Sequence, residues 1–189
     1  MPASFVRRVE DCISKIVREF RRNPELFLTE SDLKCRLFME LDSDPVLSKE
    51  ESTQDGRKTN YVHCESSYFV FGRLNKKRVD ITVVNPSNFD FRNQAASRKG
   101  YYFAEPSIGI ELKLNKVKSK NGMKKELITV FSDLSNLKGT RPESSFYLLL
   151  LDKRGVFSRE DIDEFRDDYP EIPFFYECMV KTITPEQAS

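Results

Sequence analysis

Residues 145–152 read SFYLLLLD, so a strand here carries apolar side chains on both of its faces. Such a run belongs at the centre of a sheet covered on both sides, which requires helical layers above and below it. The rest of the chain supplies them. Phe5, Val9, Ile13, Ile16 and Phe20 recur at three- and four-residue spacing and predict an amphipathic helix over 4–22, ended by Asn23-Pro24. Thr29-x-x-Asp32 has the form of a capping box with Asp in place of Glu. It opens a second helix with Leu33, Leu37, Phe38 and Leu41 as its buried stripe. Polar residues 42–60 predict a mobile loop.

Strands are expected over 60–71 and 78–85, joined by a turn at Gly72-Arg73-Leu74-Asn75 as an antiparallel hairpin. A long connection over 86–105 leads to a third strand at 107–114, followed by a helix over 124–137 and the central strand. Ser158-x-x-Asp161 caps a last helix through Tyr169, and 173–180 completes the sheet. A strand–helix–strand unit spanning 107–152 implies a parallel pair with a right-handed crossover. The expected fold is α/β: a mixed central sheet flanked by helices on both faces. At 189 residues the chain suits one domain. We divide it into an N-terminal helical extension (1–28), a core (29–152) and a C-terminal helix and strand (153–189).

Charge excludes as much as it suggests. With 31 basic and 30 acidic residues there is no global positive field, so any nucleic-acid surface must be local. No apolar run approaches the ~20 residues that span a bilayer, and no signal-peptide stretch opens the chain. A cytoplasmic protein without a membrane partner is the expectation. Cys12, Cys35, Cys64 and Cys178 lack the paired spacing of zinc sites and read as buried free thiols. His63 is the only histidine, and Cys64 beside it faces the opposite side of a strand, so the two cannot share an ion. A single histidine also argues against Ser-His-Asp or Cys-His catalysis.

The informative residues break the apolar pattern. In IGIELKL, 108–114, strand periodicity sends Ile108, Ile110, Leu112 and Leu114 to one face and Gly109, Glu111 and Lys113 to the other. In RVDITVV, 78–84, Val79, Ile81 and Val83 are expected on one face and Asp80 on the other. Buried carboxylates are costly alone, and two that converge repel unless a cation neutralises them. Asp80 and Glu111 are hard ligands suited to Mg²⁺, with the Leu112 carbonyl between the functional side chains as a further ligand. Lys113 can orient or deprotonate a water, or stabilise the transition state of phosphodiester hydrolysis.

Asp80 followed by Glu111-x-Lys113, behind a helix bearing Glu30 and ahead of LITVFSDLSNLK and SSFYLLLLD, resembles the PD-(D/E)xK nuclease superfamily over about 29–152. The resemblance implies a restriction endonuclease-like or resolvase-like core. It implies a Mg²⁺-dependent DNA endonuclease, with Mn²⁺ as a substitute and with DNA, and a protein partner or second copy of the chain, as partners. Val79 stands in place of the motif's proline, and the interval from Asp80 to Glu111 is long. The tripeptide alone carries little: 17 glutamates and 16 lysines produce about one E-x-K by chance. Asp32-x-Lys34 is read as a decoy, because residues two apart on a helix diverge by about 200°. Context singles out Glu111 and Lys113.

Glu30 either assists the metal or Lys113, or simply favours a helix N-terminus. Glu65 is a possible further member of the site or a cross-strand partner of a basic residue. Phe89, Phe91, Tyr101, Tyr102 and Phe103, with Arg92, Arg98 and Lys99, either anchor their loop or stack bases. Met39, Met123 and Met179 read as packing. The stretch 113–125, KLNKVKSKNGMKK, carries six lysines in thirteen positions. Lys116, Lys118, Lys120, Lys124 and Lys125 are candidate phosphate contacts, the first three on an adaptable loop, or else solubilising charge. A different class of function is a catalytically silent nuclease-like fold acting as a nucleic-acid-binding or scaffolding subunit. A domain with no nucleic-acid partner is a third possibility.

Overall fold

A computed structural model describes residues 3–70, 73–89 and 106–179, with side chains omitted over 66–77. Helices α1 (Ala3–Arg22) and α2 (Glu30–Asp42) come first, then the short strands β1 (Glu51–Ser52) and β2 (Lys58–Thr59). Strands β3 (Val62–Val70), β4 (Arg73–Val84) and β5 (Ser107–Asn115) follow. Helix α3 (Lys120–Thr140), strand β6 (Ser145–Asp152), helix α4 (Arg159–Asp168) and strand β7 (Phe174–Cys178) complete the chain. The main sheet has the order β3-β4-β5-β6-β7. Its first two pairings are antiparallel, and β5/β6 and β6/β7 are parallel. The mixed α/β architecture expected from the sequence is present.

Strand β6 shows why both faces needed cover. Tyr147, Leu149 and Leu151 pack with α1 and α2, whose Val9, Ile13, Phe20, Leu33 and Leu37 are wholly buried. Phe146, Leu148 and Leu150 face the other way, against Met123, Leu127 and Phe131 of α3 and Ile162 and Phe165 of α4. Both capping boxes form. The Thr29 hydroxyl accepts from Asp32 N and Thr29 N donates to the Asp32 carboxylate, at 3.1 and 2.7 Å. Ser158 and Asp161 do the same for α4. Among the described residues no helix is long and apolar enough to cross a membrane.

Five expectations need correction. The segment 42–60 is held: Leu47 is wholly buried, Asp44 accepts from Val46 N and Leu47 N, and β1 pairs with β2. The hairpin turn is shorter than expected, because Arg73 and Leu74 already pair with Val70 and Phe69. Helix α3 starts at Lys120, not 124, since Ser119 caps it by accepting from Gly122 N. Of the free thiols only Cys12 is buried, with Cys35 and Cys64 exposed, and Met39 is exposed as well. The aromatic and basic residues of 90–105 lie outside the described residues, as does the end of the strand expected over 173–180.

Phe131 is wholly buried and lies 4.7, 5.4 and 5.2 Å from the rings of Tyr169, Phe165 and Phe174. Removing it deletes the ring contacts that join α3 to α4, Tyr169 and β7 within this cluster. Phe131→Ala should therefore cost about 3–5 kcal/mol, read by urea unfolding as a lower midpoint at an unchanged slope.

Candidate active site

Strands β4 and β5 pair from Val84↔Ser107 to Ile81↔Ile110 and then part. Continued by two rows, the ladder would set Asp80 opposite Glu111 and Val79 opposite Leu112. On its other edge β4 pairs Cys64↔Ile81 and Ser66↔Val79, with Glu65 and Asp80 left out between them. Glu65 has φ 54°, the one positive value at a non-glycine among the described residues. The strand is thus irregular on both sides at Asp80. The expected alternation fails there: Ile81 and Val83 pack with α1 and α2, whereas Val79 joins the α3–α4 core.

The parting leaves backbone groups of β5 without ladder partners, and side chains take them over. Leu112 N donates to Asp80 Oδ2 at 2.9 Å. The Leu112 carbonyl accepts from Lys113 Nζ at 2.9 Å, and the same ammonium donates to Glu111 Oε1 at 2.8 Å. Leu114 N reaches Glu30 Oε2 at 3.4 Å, and Glu30 Oε1 lies 3.6 Å from Lys113 Nζ. Asp80, Lys113 and Glu30 thus bond the backbone of β5 between Leu112 and Leu114, and Glu111 joins them through Lys113. Glu30 stands at the rim with its side chain 48% exposed, whereas those of Glu111 and Lys113 are 17% and 11% exposed. Glu111 also lines a cavity of ≈ 230 Å³ beneath α3.

Two further groups complete the cluster. Helix α2 presents Glu30 and Lys34 one turn apart on one face. Lys34 Nζ bonds the Glu65 carboxylate and lies 3.5 Å from Asp80 Oδ1. The sequence reading weighed Lys34 only with Asp32, and Asp32 is committed to the α2 cap. The four-residue step from Glu30 was the signal that could have found it. Glu65 joins the site through this lysine.

Four carboxylates here face two ammonium groups. Burial raises the Glu111 carboxyl above its usual range, with Asp80 and Glu30 adding to the effect and Lys113 opposing it. Burial alone would lower the Lys113 ammonium, but Glu111, Glu30 and Asp80 outweigh it and leave it raised. Glu111 thus moves upward chiefly through burial, and Lys113 moves upward because its acidic neighbours outweigh burial. The hydrogen bond to Glu65 comes first among the causes that raise Lys34, burial opposes it, and Asp80 adds.

A hard cation fits this donor set. The Leu112 carbonyl and Glu111 Oε1 converge on one positive atom, the Lys113 nitrogen. Among the described residues no three His, Cys, Asp or Glu side chains form a ready metal-holding group. The oxygens present are those of carboxylates and one carbonyl, the hard donor type that Mg²⁺ takes. His63 lies elsewhere: its ring nitrogen contacts the Asn60 carbonyl at 2.8 Å and its ring packs on Phe89.

The lysines beyond β5 are placed differently from the expected adaptable loop. Lys116 donates to the Leu28 carbonyl at 2.6 Å. Lys118 pairs with Glu126, Lys120 with Asp161 at 2.6 Å and Lys124 with Glu164 at 2.8 Å. Lys120, Lys124 and Lys125 are on α3, and Lys125 is exposed. No protein-family model, curated protein or solved structure matches this chain.

The geometry predicts opposite effects of acid and lysine removal on cation binding. Asp80→Asn and Glu111→Gln should each weaken Mn²⁺ binding about tenfold or more, a loss of roughly 1.4 kcal/mol or greater. Lys113→Ala should leave binding unchanged or tighten it, because the ammonium now holds two of the ligand oxygens. Titration calorimetry on the three variants reads this directly.

Proposed function

We propose that this cluster is the catalytic centre of a Mg²⁺-dependent DNA endonuclease with a restriction endonuclease-like core of the PD-(D/E)xK type. The observation that carries the reading is that Asp80 and Lys113 both bond the backbone of Leu112 where β4 leaves β5, with Lys113 also holding Glu111. Asp80, Glu111 and the Leu112 carbonyl hold Mg²⁺, with Mn²⁺ as a substitute. The ion supplies Lewis acidity at the phosphate and a bound water of lowered pKa.

Lys113 has its ammonium stabilised by the surrounding acids, and it serves as a hydrogen-bond donor and positive charge. It orients the attacking water and stabilises charge on the phosphate oxygens. Glu30, in contact with Lys113 and the Leu114 amide, steers that ammonium from the rim. Lys116, Lys118, Lys120, Lys124 and Lys125 extend from the same strand end and are assigned to the DNA backbone. For Lys118, Lys120 and Lys124, phosphates take the place of acidic partners.

That existing pairing is also what favours a second reading, in which the fold is a catalytically silent nucleic-acid-binding or scaffolding subunit, alone or as a dimer. Cleavage separates the two. On linear, nicked, branched and single-stranded DNA, Mg²⁺ should support hydrolysis and EDTA should abolish it. Lys113→Ala should lower the rate by about 10²-fold or more. Absence of hydrolysis on every substrate with either metal selects the second reading, and a Lys113→Ala variant cutting at the wild-type rate removes the role given to that residue.

A further inference from the structure

Asp80 occupies a row that is paired with neither neighbouring strand. The ladder therefore does not fix where its carboxylate points, and side-chain contacts must. One oxygen, Oδ2, is held by Leu112 N at 2.9 Å. The other, Oδ1, faces Lys34 Nζ at 3.5 Å. Lys34 is itself anchored by Glu65, so a chain of contacts runs Glu65–Lys34–Asp80–Leu112.

The backbone shows what this chain accomplishes. Regular pairing of β3 with β4 would set Glu65 directly opposite Asp80, and like charges so placed repel. Glu65 instead takes a left-handed conformation that L-residues rarely adopt. Its carboxylate meets Lys34, which reaches between the two acids from α2. Non-glycine strain of this kind persists where surrounding contacts over-determine it.

We infer that Lys34, anchored by Glu65, is a positioning residue that holds the Asp80 carboxylate on the Leu112 amide and so presets it to receive the metal. This rests on the reading of Asp80 as a metal ligand. Charge alone makes the opposite prediction. An ammonium beside Asp80 repels a cation, so if Lys34 acted only by charge, its removal would tighten metal binding. If Lys34 fixes the carboxylate, its removal weakens binding.

Lys34→Met and Lys34→Arg in the full chain decide between these. Hydrogen exchange at the Leu112 amide, measured by NMR without metal, reads the Asp80 contact irrespective of any catalysis. Mn²⁺ calorimetry reads its consequence. In Lys34→Met the Leu112 amide should exchange about tenfold faster or more as its acceptor is released, and Mn²⁺ affinity should fall several-fold. Lys34→Arg, which can bridge the same two acids, should restore both. Unchanged Leu112 exchange in Lys34→Met, or tighter Mn²⁺ binding, overturns the inference.

Glu65→Asn guards against a misfolded lysine variant, since Asn tolerates the left-handed backbone. It should leave thermal stability unchanged or higher while Leu112 still exchanges faster, whereas unaltered exchange in this variant also counts against the inference. Failure of the wild-type protein to bind Mn²⁺ removes the metal-site reading instead, and the exchange measurement still settles whether Lys34 holds Asp80.

Discussion

Buried backbone groups of a central strand must find partners, and at Leu112 the neighbouring strand does not provide them. In an antiparallel ladder every second opposed pair exchanges hydrogen bonds, yet the β4–β5 ladder ends at Ile81↔Ile110. An amide left unpaired in such a place is expensive. Asp80 accepts from the Leu112 amide and Lys113 donates to its carbonyl. Satisfying the strand therefore brings an acid and an ammonium to one point. The well-packed surroundings allow this irregularity: Ile110 and Leu112 are wholly buried on one face and Leu148 and Leu150 on the other.

Charge follows from that geometry. Once Asp80 is drawn to Leu112, Glu111 stands beside it on β5, and α2 adds Glu30 at its first turn. Lys113 and Lys34 answer part of this negative charge, and burial keeps the Glu111 carboxyl raised. A divalent cation would supply what the two lysines leave over. The position of α2 matters for the same reason, because one helix face carries both the rim acid Glu30 and the lysine facing Asp80.

The parts of this arrangement legible in the sequence are those set by local pattern. SFYLLLLD announced a strand covered on both faces, Thr29 and Ser158 announced their helix starts, and Glu111 and Lys113 stood out as charges on a strand otherwise apolar. What escaped depended on tertiary context. Strict alternation placed Val79 with Ile81, but the twist at Asp80 sends Val79 to the other core. The first turn of α3 was hidden among lysines and a glycine, and Lys120 is tied there by Asp161 from α4, forty-one residues away in sequence. Polar composition made 42–60 resemble a free loop, while Leu47 pins it to the core. Lys34 was missed because its neighbour Asp32 invited comparison with the wrong residue.

In the proposed function a hard divalent cation binds where Lys113 now meets Glu111 and the Leu112 carbonyl. Crystals grown with Mn²⁺ and measured for anomalous scattering test it directly. A peak is expected within ligand distance of the Asp80 and Glu111 carboxylates and the Leu112 carbonyl, with the Lys113 ammonium displaced from that carbonyl. Saturating Mn²⁺ that gives no peak there, with Lys113 still bonded to Leu112 and Glu111, would contradict it.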